Sequence, residues 1–600
     1  MTCWGDSLED QTDRKLVFLS NGITCALENE GSIIWFPAPR FDSPSLFSKI
    51  LDENKGGCFS IAPESKYSLR TSYIVDTLVA ENVYTTSDGK LKVTDFMPLG
   101  ISGIMRVYES RVPFLADIKP MFNYGMTNTK AKYVEDHGFY FESTNSAEGL
   151  EVSIDGRYRL LDNGTLHFQP GKGYMFAMYS SDLSNGIFRN KNFVFPQPYD
   201  ALEKTTKYWK EQVMIGNKVS AKFKGIYTSS ILVSLGLMYL PSGAIIAAPT
   251  TSLPEIVGES RNWDYRYLWI RDASYAVEAL VNIGHAAKAR RILDFMMSLI
   301  DPSSKGFDHP LYAIDGTAPP KEQSLNWLSG NKNSKPVRIG NAAYMQVQTD
   351  TEGAFMAALY AYLRKTNDKS YISDNWLFIE SACSWIKRSW SLASTNIWEE
   401  RDEPKHFVHT KVTQWVAVDR AAKMAVIIGH KKEAREWSEL AAEIKSDVMS
   451  NGFSKELNSF VQYYGSNKVD AALLTLPLYG FIDVKDPLFL GTLKRLEKDL
   501  VVEGGLMLRY KSDFMGNAAH PFTLPTTWLA RVYLRLGERR KAEKIIDNLT
   551  KASTDLFLLS EHVDQKTGSP RGNFPQLFPH SGMLHVIAEM EDPSLYKQKD

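Results

Sequence analysis

The sequence lacks the cysteine patterns that build a disulfide framework or a zinc site. Its four cysteines, Cys3, Cys25, Cys58 and Cys383, form neither a CxxC pair nor a repeating spacing. No apolar run approaches the roughly eighteen residues of a membrane span. The N-terminal stretch is acidic where a signal peptide would carry a basic start and an apolar core. We therefore expect a cytoplasmic protein.

An excess of either charge is also missing. The 69 lysines and arginines nearly balance the 70 aspartates and glutamates, and no dense basic run contains interleaved aromatics. Nucleic acid and anionic membrane are therefore not expected as partners. The hydrophobic content of 44% and the charged content of 23% are ordinary for a globular protein, which excludes disordered and fibrous classes.

Residues 15–190 alternate between short strand-like runs and turn pairs. Runs such as "KLVFLS", "KLKVTDF" and "LEVSIDGRYRLL" have the period of two that is typical of antiparallel strands. The turn pairs are Asn21-Gly22, Asp88-Gly89, Asp155-Gly156 and Asn163-Gly164. These patterns predict an antiparallel β-sandwich domain over residues 1–199. Helical spacing then predicts a linker over residues 200–220.

Residues 221–600 have mostly helical periodicity. Apolar residues recur at i, i+3 and i+4 in segments that often close on a glycine, and the helices come in pairs joined by short loops. Such pairs form either a superhelical solenoid or a closed double ring. No self-similar repeat stands out, which weakens the solenoid. We therefore predict an (α/α)6 barrel with its inter-helix loops converging at one end.

The stretch "ESRNWDYRYLWIRDAS" (259–274) concentrates aromatic, arginine and aspartate side chains just before a predicted helix. Its candidate functional residues are Asp264, Tyr267, Trp269, Arg271 and Asp272. Polar residues at this position can simply cap the helix, because Asp accepts from its free N–H groups. A guanidinium beside a carboxylate also matches the vicinal hydroxyls of a sugar, and an aromatic ring can stack on its C–H face.

A second stretch, "NIWEERDEPKHFVHTKVTQWVAVDRA" (396–421), places Glu399 and Glu400 directly after Trp398. A solvated acidic turn is the simplest interpretation. A carboxylate beside an indole is also how a general acid acquires a raised pKa through desolvation. His406 and His409 have a spacing that suits a metal, but no third ligand is evident, and we predict no metal site.

A third stretch, "LLSEHVDQKTGSPRGNFPQLFPHSGML" (559–584), carries Glu561 after an apolar run and returns through a Gly- and Pro-bearing loop to the last predicted helix. In the structural interpretation, this is a long loop that closes the final helical pair. It can also hold the Glu561 carboxylate at the mouth of the barrel. Two separated acidic loops in one helical barrel, each beside residue types that bind sugars, fit glycoside hydrolysis by paired carboxylates.

These stretches resemble motifs of the family 15 glycoside hydrolases, the glucoamylase and trehalase family, over nearly the whole chain. "RNWDYRYLWIRDAS" resembles the sugar clamp of that family, "WEERDEPKHFVHTKVTQWVAVDRA" its general-acid loop and "SEHVDQKTGSPRGNFPQLFPHSGM" its general-base segment. "SKPVRIGNAAYMQVQTDTEG" (334–353) is similar to a further pocket loop. The N-terminal block is similar to the sandwich domain of the prokaryotic members.

The resemblance implies roles for individual residues. Glu399 would be the general acid and Glu561 the general base. Tyr267, Trp269, Arg271 and Asp272 would hold the non-reducing glucose, with Trp398 beside them. Glu400 departs from the apolar residue of many prokaryotic members, and it would contact the leaving sugar.

The resemblance also implies an inverting, exo-acting α-glucoside hydrolase that releases β-D-glucose without a metal or an organic cofactor. The two carboxyl groups should then lie about 6.5–9.5 Å apart, because a water molecule must fit between the base and the anomeric carbon. Trehalose is the favoured substrate, and maltooligosaccharides or other α-glucans are the alternative. Two alternatives come from other functional classes: a glycoside phosphorylase and a non-catalytic sugar-binding protein. The oligomeric state is not predicted.

Overall fold

The computed structural model describes residues 14–134, 138–183, 195–300, 306–513, 515–518 and 520–597. The first part of the chain is all β. Its strands are β1 (Val17–Ser20), β2 (Cys25–Asn29), β3 (Ser32–Pro37), β4 (Ser45–Phe47), β5 (Cys58–Pro63), β6 (Ser68–Tyr73), β7 (Ala80–Thr85), β8 (Lys90–Phe96), β9 (Gly103–Ser110), β10 (Phe114–Lys119), β11 (Thr129–Val134), β12 (Gly138–Ser143), β13 (Gly149–Asp155), β14 (Tyr158–Leu160), β15 (Leu166–Phe168) and β16 (Gly171–Ser180).

The strands form two antiparallel sheets that pack face to face. Within the described residues, one sheet has the order β1-β2-β3-β5-β10-β15-β14, with β4 paired to β3, and the other has the order β11-β12-β13-β16-β9-β8-β7-β6. Tyr108 of β9 contacts Phe114 of β10 across the two sheets, with ring centroids 4.9 Å apart. The inward-facing residues of both sheets share one core. The predicted sandwich is confirmed.

Helices make up the second part of the chain. The helix α1 (Pro198–Ile215) follows the sandwich and begins with a proline at its first position, where no N–H is needed. The others are α2 (Lys224–Gly236), α3 (Ile270–Asn282), α4 (Ala286–Ser298), α5 (Thr351–Thr366), α6 (Lys369–Asp374), α7 (Trp376–Ser389), α8 (Val408–Ile428), α9 (Lys431–Asn451), α10 (Thr475–Leu478), α11 (Pro487–Leu500), α12 (Thr523–Leu536), α13 (Arg539–Ala552), α14 (Leu577–Glu591) and α15 (Ser594–Lys597).

The described helices form a closed double ring. The inner helices α3, α5, α8, α10, α12 and α14 each contact the next, and α14 returns to α3. Five of the other described helices lie outside this ring: α4 packs on α3, α7 and α9 on α8, α13 on α12 and α2 on α14. Burial follows position, since α14 is buried on nearly all sides whereas α13 buries a single stripe. The predicted barrel is confirmed.

Short two-stranded ladders occur in the loops of the barrel. They are β17 (Leu268–Trp269) with β18 (Leu311–Tyr312), β19 (Gln323–Ser324) with β20 (Arg338–Ile339), β21 (Phe453–Ser454) with β22 (Ser459–Phe460), β23 (Ser512–Asp513) with β24 (Gly516–Asn517), and β25 (His562–Val563) with β26 (Pro570–Arg571). These ladders stiffen loops that would otherwise depend on turns alone, and several of them carry residues of the site described below.

The C-terminal ends of the inner helices hold a buried ionic network. Glu589 accepts hydrogen bonds from Arg531 at 2.7 Å and from Arg535 at 3.3 Å. Arg535 also donates to the carbonyl oxygens of Pro477 and Leu478 at 2.9 and 3.0 Å. Arginines suit this end of the barrel, because the C-terminus of a helix carries partial negative charge and unpaired carbonyl groups.

The sandwich packs against the barrel through buried polar contacts. Arg266, from the loop before α3, donates to the carbonyl oxygen of Ser43 and to the hydroxyl of Tyr124, both at 2.7 Å. Trp35 of β3 donates from its indole to the carbonyl oxygen of Pro249 at 2.8 Å. The loop before α3 is thereby anchored from the sandwich side. Of the helices described, none has the length and the apolar character that crossing a membrane requires.

Candidate active site

Two adjoining cavities open where the loops before α3, α8, α12 and α14 meet. We call them the inner cavity and the outer cavity. The inner cavity is lined by Ala247, Tyr265, Trp269, Arg271, Asp272, Ile397, Trp398, Glu399, Arg509, Phe522, Glu561, Gln576 and Phe578. The outer cavity is lined by Glu255, Arg261, Trp263, Tyr265, Asn341, Ala343, Gln346, Trp398, Glu399, Glu400, Arg401, Arg509, Tyr510, Asp513 and Met515. Four residues are common to both linings, so the cavities share one wall.

Glu399 lies on that shared wall. Its Oε1 accepts hydrogen bonds from the indole N–H of Trp269 at 2.8 Å, from the amide of Gln348 at 3.1 Å and from the guanidinium of Arg271 at 3.3 Å. Three donors on one oxygen hold the carboxyl group in a fixed orientation. All three of these bonds fall on Oε1, and Oε2 receives none of them.

The backbone of Glu399 is in the left-handed region, with a φ of 61°. This conformation is uncommon for a residue with a side chain and costs on the order of 1 kcal/mol. Two hydrogen bonds hold it. The Glu399 N–H donates to the carbonyl oxygen of Asn396 at 3.0 Å, and the amide of Gln346 donates to the Glu399 carbonyl oxygen at 3.1 Å. Strain held in this way is typical of functional positions.

Glu561 lies on another wall of the inner cavity and is only 3% exposed. Its Oε1 accepts a hydrogen bond from the hydroxyl of Tyr265 at 2.8 Å. Burial, and then the neighbouring Glu255 carboxylate, raise the pKa of Glu561 well above its ordinary value, although Arg509 and the Tyr265 hydrogen bond act in the opposite direction. A carboxylate with a raised pKa holds a proton more tightly, which suits a general base.

A glycine lets the loop that carries Glu561 fold back onto it. Gly572 has a φ of +77°, and a Cβ at this position would lie 2.6 Å from Oε2 of Glu561. Its N–H donates to the carbonyl oxygen of Pro254 at 2.8 Å. The loop is therefore held close to the glutamate on one side and to the segment before α3 on the other.

Arg271 and Asp272 line the inner cavity beside Glu399. The sequence predicted that they precede the helix, but they lie in the first turn of α3. No side chain caps this helix. The Arg271 guanidinium lies 3.3 Å from Glu399, 3.5 Å from Asp272 and 3.9 Å from Asp350. Burial raises the pKa of Asp272 to about 7 in spite of Arg271. Both side chains are placed where a hydroxylated ligand would contact them.

Tyr267 lies behind the cavity and not on its lining. Its side chain is fully buried, and its hydroxyl donates to Oδ2 of Asp264 at 3.1 Å. Its ring packs against Trp269, with centroids 6.5 Å apart. Trp269 does line the inner cavity, as does Tyr265, whose ring lies 5.6 Å from that of Trp269. The structure thus places Tyr267 in support of Trp269, and Tyr265 at the site.

Trp398 and Glu400 lie on either side of Glu399. The indole N–H of Trp398 donates to Oδ2 of Asp470 at 2.8 Å, and its ring packs 5.7 Å from that of Phe522. Trp398 lines both cavities, whereas Glu400 lines only the outer one. Burial raises the pKa of Glu400, and Asp513 adds to the effect. Glu399 therefore lines both cavities, and its neighbour Glu400 lines the outer one alone.

The two histidines considered as metal ligands have different surroundings. His406 stacks on Tyr464, with ring centroids 5.7 Å apart. His409 is buried in α8, where burial and then Arg271 lower its pKa to about 3.

Another group in the described chain comes closer to a metal-binding geometry. Glu255, Glu561 and His562 each offer one ligand atom, and these atoms lie within 4.8 Å of one another. Arg509 donates to Oε2 of Glu255 at 2.7 Å and already supplies positive charge to this group. A metal ion would have to compete with that guanidinium, and we assign no metal to these residues.

Family models match both parts of the chain. A model described as "Glycosyl hydrolases family 15" matches residues 221–557, and a model described as "Trehalase-like, N-terminal" matches residues 6–152. The chain belongs to glycosyl hydrolase family 15. It is a glycoside hydrolase by this membership, and the residues around Glu399 and Glu561 lie in or just beyond the matched segment.

Several relatives of this family 15 chain match along nearly their whole length. Trehalase 2 of Sulfolobus acidocaldarius is 51% identical over 574 residues, which cover 96% of this chain and 99% of the relative. Trehalase 1 of the same organism is 42% identical over 580 residues, with the same coverage. The Thermoplasma volcanium trehalase is 35% identical over 602 residues, which cover 96% of this chain and 93% of the relative.

Among solved structures, a bacterial glucoamylase complexed with acarbose has the same fold. Its TM-score is 0.75 at 13% identity, over 99% of this chain and 96% of the other. The similarity confirms the order of sandwich and helical barrel in this family 15 protein.

Some cavity residues of the family 15 chain were not predicted from the sequence. They are Tyr265, Glu255, Arg509 and Gln576. Gln348, which donates to Glu399 from outside the cavity linings, was not predicted either. The alternation of residues 263–266 was a usable signal for Tyr265. Trp263 and Tyr265 face the cavities, while Asp264 and Arg266 are buried behind them. The sequence carries no comparable signal for Arg509, which lies far from the other motifs and reaches the site only through the fold.

Proposed function

We propose that this protein is an inverting, exo-acting α-glucosidase that hydrolyses trehalose, with Glu399 as general acid and Glu561 as general base. One observation carries the proposal: the two glutamates line the same inner cavity from different loops, and each is fixed by donors of its own. Paired carboxyl groups facing one sugar site are what glycoside hydrolysis requires.

The reaction follows from the positions of these groups. Glu399 transfers the proton on Oε2 to the glycosidic oxygen as the bond to the anomeric carbon breaks. Glu561 removes a proton from a water molecule, whose oxygen attacks that carbon from the opposite face. The glucose at the attacked carbon is released as β-glucose, and the other glucose of trehalose is released as α-glucose. Arg271 and Asp272, with Trp269, hold the glucose ring in the inner cavity, where burial strengthens each of these contacts.

Trehalose is supported as the substrate by the relatives named trehalase, which match this chain over at least 96% of its length at up to 51% identity. In this proposal the second glucose occupies the outer cavity, beside Trp398 and Glu400. We also propose the domain limits 1–199 for the sandwich, 200–220 for the linker and 221–600 for the catalytic barrel. The cytoplasmic location stays a prediction.

The test is glucose release from trehalose and from maltotriose, measured in parallel with the product anomer followed by NMR. We expect hydrolysis mainly of trehalose, with one β-glucose and one α-glucose released from each molecule before mutarotation. β-Glucose mainly from maltotriose would replace the substrate and keep the mechanism. Release of two α-glucoses and no β-glucose from each trehalose, before mutarotation, would overturn the inverting mechanism. Release of glucose 1-phosphate only in the presence of phosphate would indicate a phosphorylase.

A further inference from the structure

A second buried carboxylate lies beside Glu561. Glu255 is 4% exposed, and one of its oxygens lies within 4.8 Å of an oxygen of Glu561. Its Oε1 accepts from the indole N–H of Trp263 at 3.0 Å, and its Oε2 accepts from the guanidinium of Arg509 at 2.7 Å. Two fixed donors therefore hold this carboxylate next to the base without contacting the base itself.

The segment that carries Glu255 is tied to the loop that carries Glu561. The N–H of Gly572 donates to the carbonyl oxygen of Pro254, the residue before Glu255, at 2.8 Å. The N–H of Glu255 donates to the carbonyl oxygen of Arg261 at 3.1 Å. The distance between the two carboxylates is thus set by the backbone, and it does not depend on a flexible surface contact.

The charges around the pair give its members different proton affinities. Glu255 faces Arg509, His562 and Arg261, and these groups hold its pKa below the ordinary value although burial acts to raise it. Arg261 is itself paired with Asp513 at 2.6 Å, and burial keeps His562 mostly neutral by lowering its pKa to about 3. Arg509 is therefore the main positive partner of Glu255.

Glu561 faces a different set of groups. Burial and Glu255 raise its pKa, while Arg509 and the hydrogen bonds from Tyr265 and Gln576 lower it. Burial, and then the Glu561 and Glu255 carboxylates, raise the pKa of the Tyr265 phenol well above its ordinary value, so the phenol stays protonated. In this pair Glu255 therefore holds the negative charge, and Glu561 is the member that takes up a proton.

We propose that Glu255 is a positioning residue for catalysis, whose fixed negative charge makes Glu561 a stronger base toward the attacking water. The inference rests on the proposed role of Glu561. As the water oxygen bonds to the anomeric carbon, its proton passes to the Glu561 carboxylate. The ionised Glu255 stabilises that protonated state relative to two adjacent negative charges, and so favours the transfer. The proton leaves to solvent after the products depart.

The test is the pH profile of kcat/KM for Glu255→Gln, measured with α-glucosyl fluoride, a substrate that needs little help from a general acid. Removing the negative charge lowers the proton affinity of Glu561. We expect the acid limb of the profile to move to lower pH by about one unit, with a lower plateau rate because the base is weaker. Glu255→Asp keeps the charge but withdraws it by one methylene, so its shift should have the same direction and a smaller size.

A matched control is Glu352→Gln, at the start of α5. Glu352 is buried and its pKa is raised to about 8 by burial, but it contacts the N–H of Phe307 and not Glu561. Its acid limb should stay in place. An unmoved acid limb in folded Glu255→Gln, or in Glu255→Asp if the first variant does not fold, overturns the inference. Full activity of Glu561→Gln would instead overturn the proposed function itself.

Discussion

The hydroxyl of Tyr265 donates a hydrogen bond of 2.8 Å to Oε1 of Glu561. Tyr265 lines both cavities, and Glu561 is almost completely buried. The hydrogen bond fixes the proposed base and also lowers its pKa, opposing the effect of burial. Orientation and proton affinity of Glu561 are therefore coupled through a single phenol group.

Tyr265→Phe should reduce kcat by about ten- to one-hundred-fold, because a hydrogen bond to a charged group contributes roughly 1.5–3 kcal/mol. The acid limb of the pH profile should move to higher pH, since the lost hydrogen bond lowered the pKa of Glu561. The control is Tyr84→Phe in the sandwich, which removes a buried hydroxyl bonded to the Ile61 carbonyl oxygen at 2.8 Å. A limb that moves in the control, or stays fixed in Tyr265→Phe, contradicts the assignment.

Glu399→Gln and Glu561→Gln should respond differently to the leaving group. Glu399→Gln cannot supply a proton to the glycosidic oxygen, so hydrolysis of trehalose should fall by at least about one-hundred-fold while α-glucosyl fluoride is affected less. Glu561→Gln should depress both substrates, because each needs an activated water. Steady-state rates on the two substrates separate these roles. Equal losses for both substrates in Glu399→Gln would argue against its role as the acid.

The sequence predicted the architecture well because the signals are local. The period of two before residue 190 and the helical period after 221 specify which face of each element is buried. Closure of the ring, from α14 back to α3, depends on contacts between residues about three hundred positions apart, and the absence of a repeat was only indirect evidence for it.

The site was less predictable than the fold. Resemblance placed the two glutamates, but Tyr265 and Tyr267 have the same chemistry and lie two residues apart in one motif. Only the packing distinguishes them, since the hydroxyl of Tyr267 is taken by Asp264 whereas that of Tyr265 reaches Glu561. Arg509 enters from a loop with no recognisable motif. Long-range placement of this kind is a property of the folded chain.

Arg271→Lys should lower kcat/KM by about ten-fold or more. Lysine keeps the positive charge near Glu399 and Asp272 but lacks the planar fork that contacts several oxygens at once. Because the glucose ring is held in both the ground state and the transition state, KM should rise along with any fall in kcat. Arg290→Lys, on α4, is the control, since its partner Asp368 lies away from the cavities. Unchanged kcat/KM in Arg271→Lys would contradict the proposal that the Arg271 guanidinium holds the glucose ring.

Glu400→Gln should distinguish the two cavities. The side chain of Glu400 lines only the outer cavity, where we place the second glucose of the substrate. We expect KM for trehalose to rise by roughly three- to ten-fold, as for the loss of one hydrogen bond. α-Glucosyl fluoride has no second sugar, so its kcat/KM should stay near that of the wild type. An equal loss of kcat/KM with α-glucosyl fluoride would mean that Glu400 acts on the glucose in the inner cavity.

Glu589→Gln should destabilise the barrel while leaving the catalytic groups in place. Its carboxylate is buried between Arg531 and Arg535, and these partners lower its pKa to about 2 although burial opposes them. Removing one partner of a buried ion pair leaves uncompensated charge and costs about 3–5 kcal/mol. The measurement is the midpoint of urea unfolding. Glu543→Gln, which breaks an exposed pair with Arg539 on α13, is the control and should change the midpoint little.

The same variant has a defined pH dependence. The pKa of Glu589 is lower in the folded protein than the ordinary value near 4.3. Its stabilising contribution is therefore fully present above about pH 4.3, and it is lost as the pH falls towards about 2. The difference in unfolding midpoint between wild type and Glu589→Gln should be largest near neutral pH and should narrow below pH about 4. A constant difference down to pH about 2 would mean that the carboxylate is not held ionised by the two arginines.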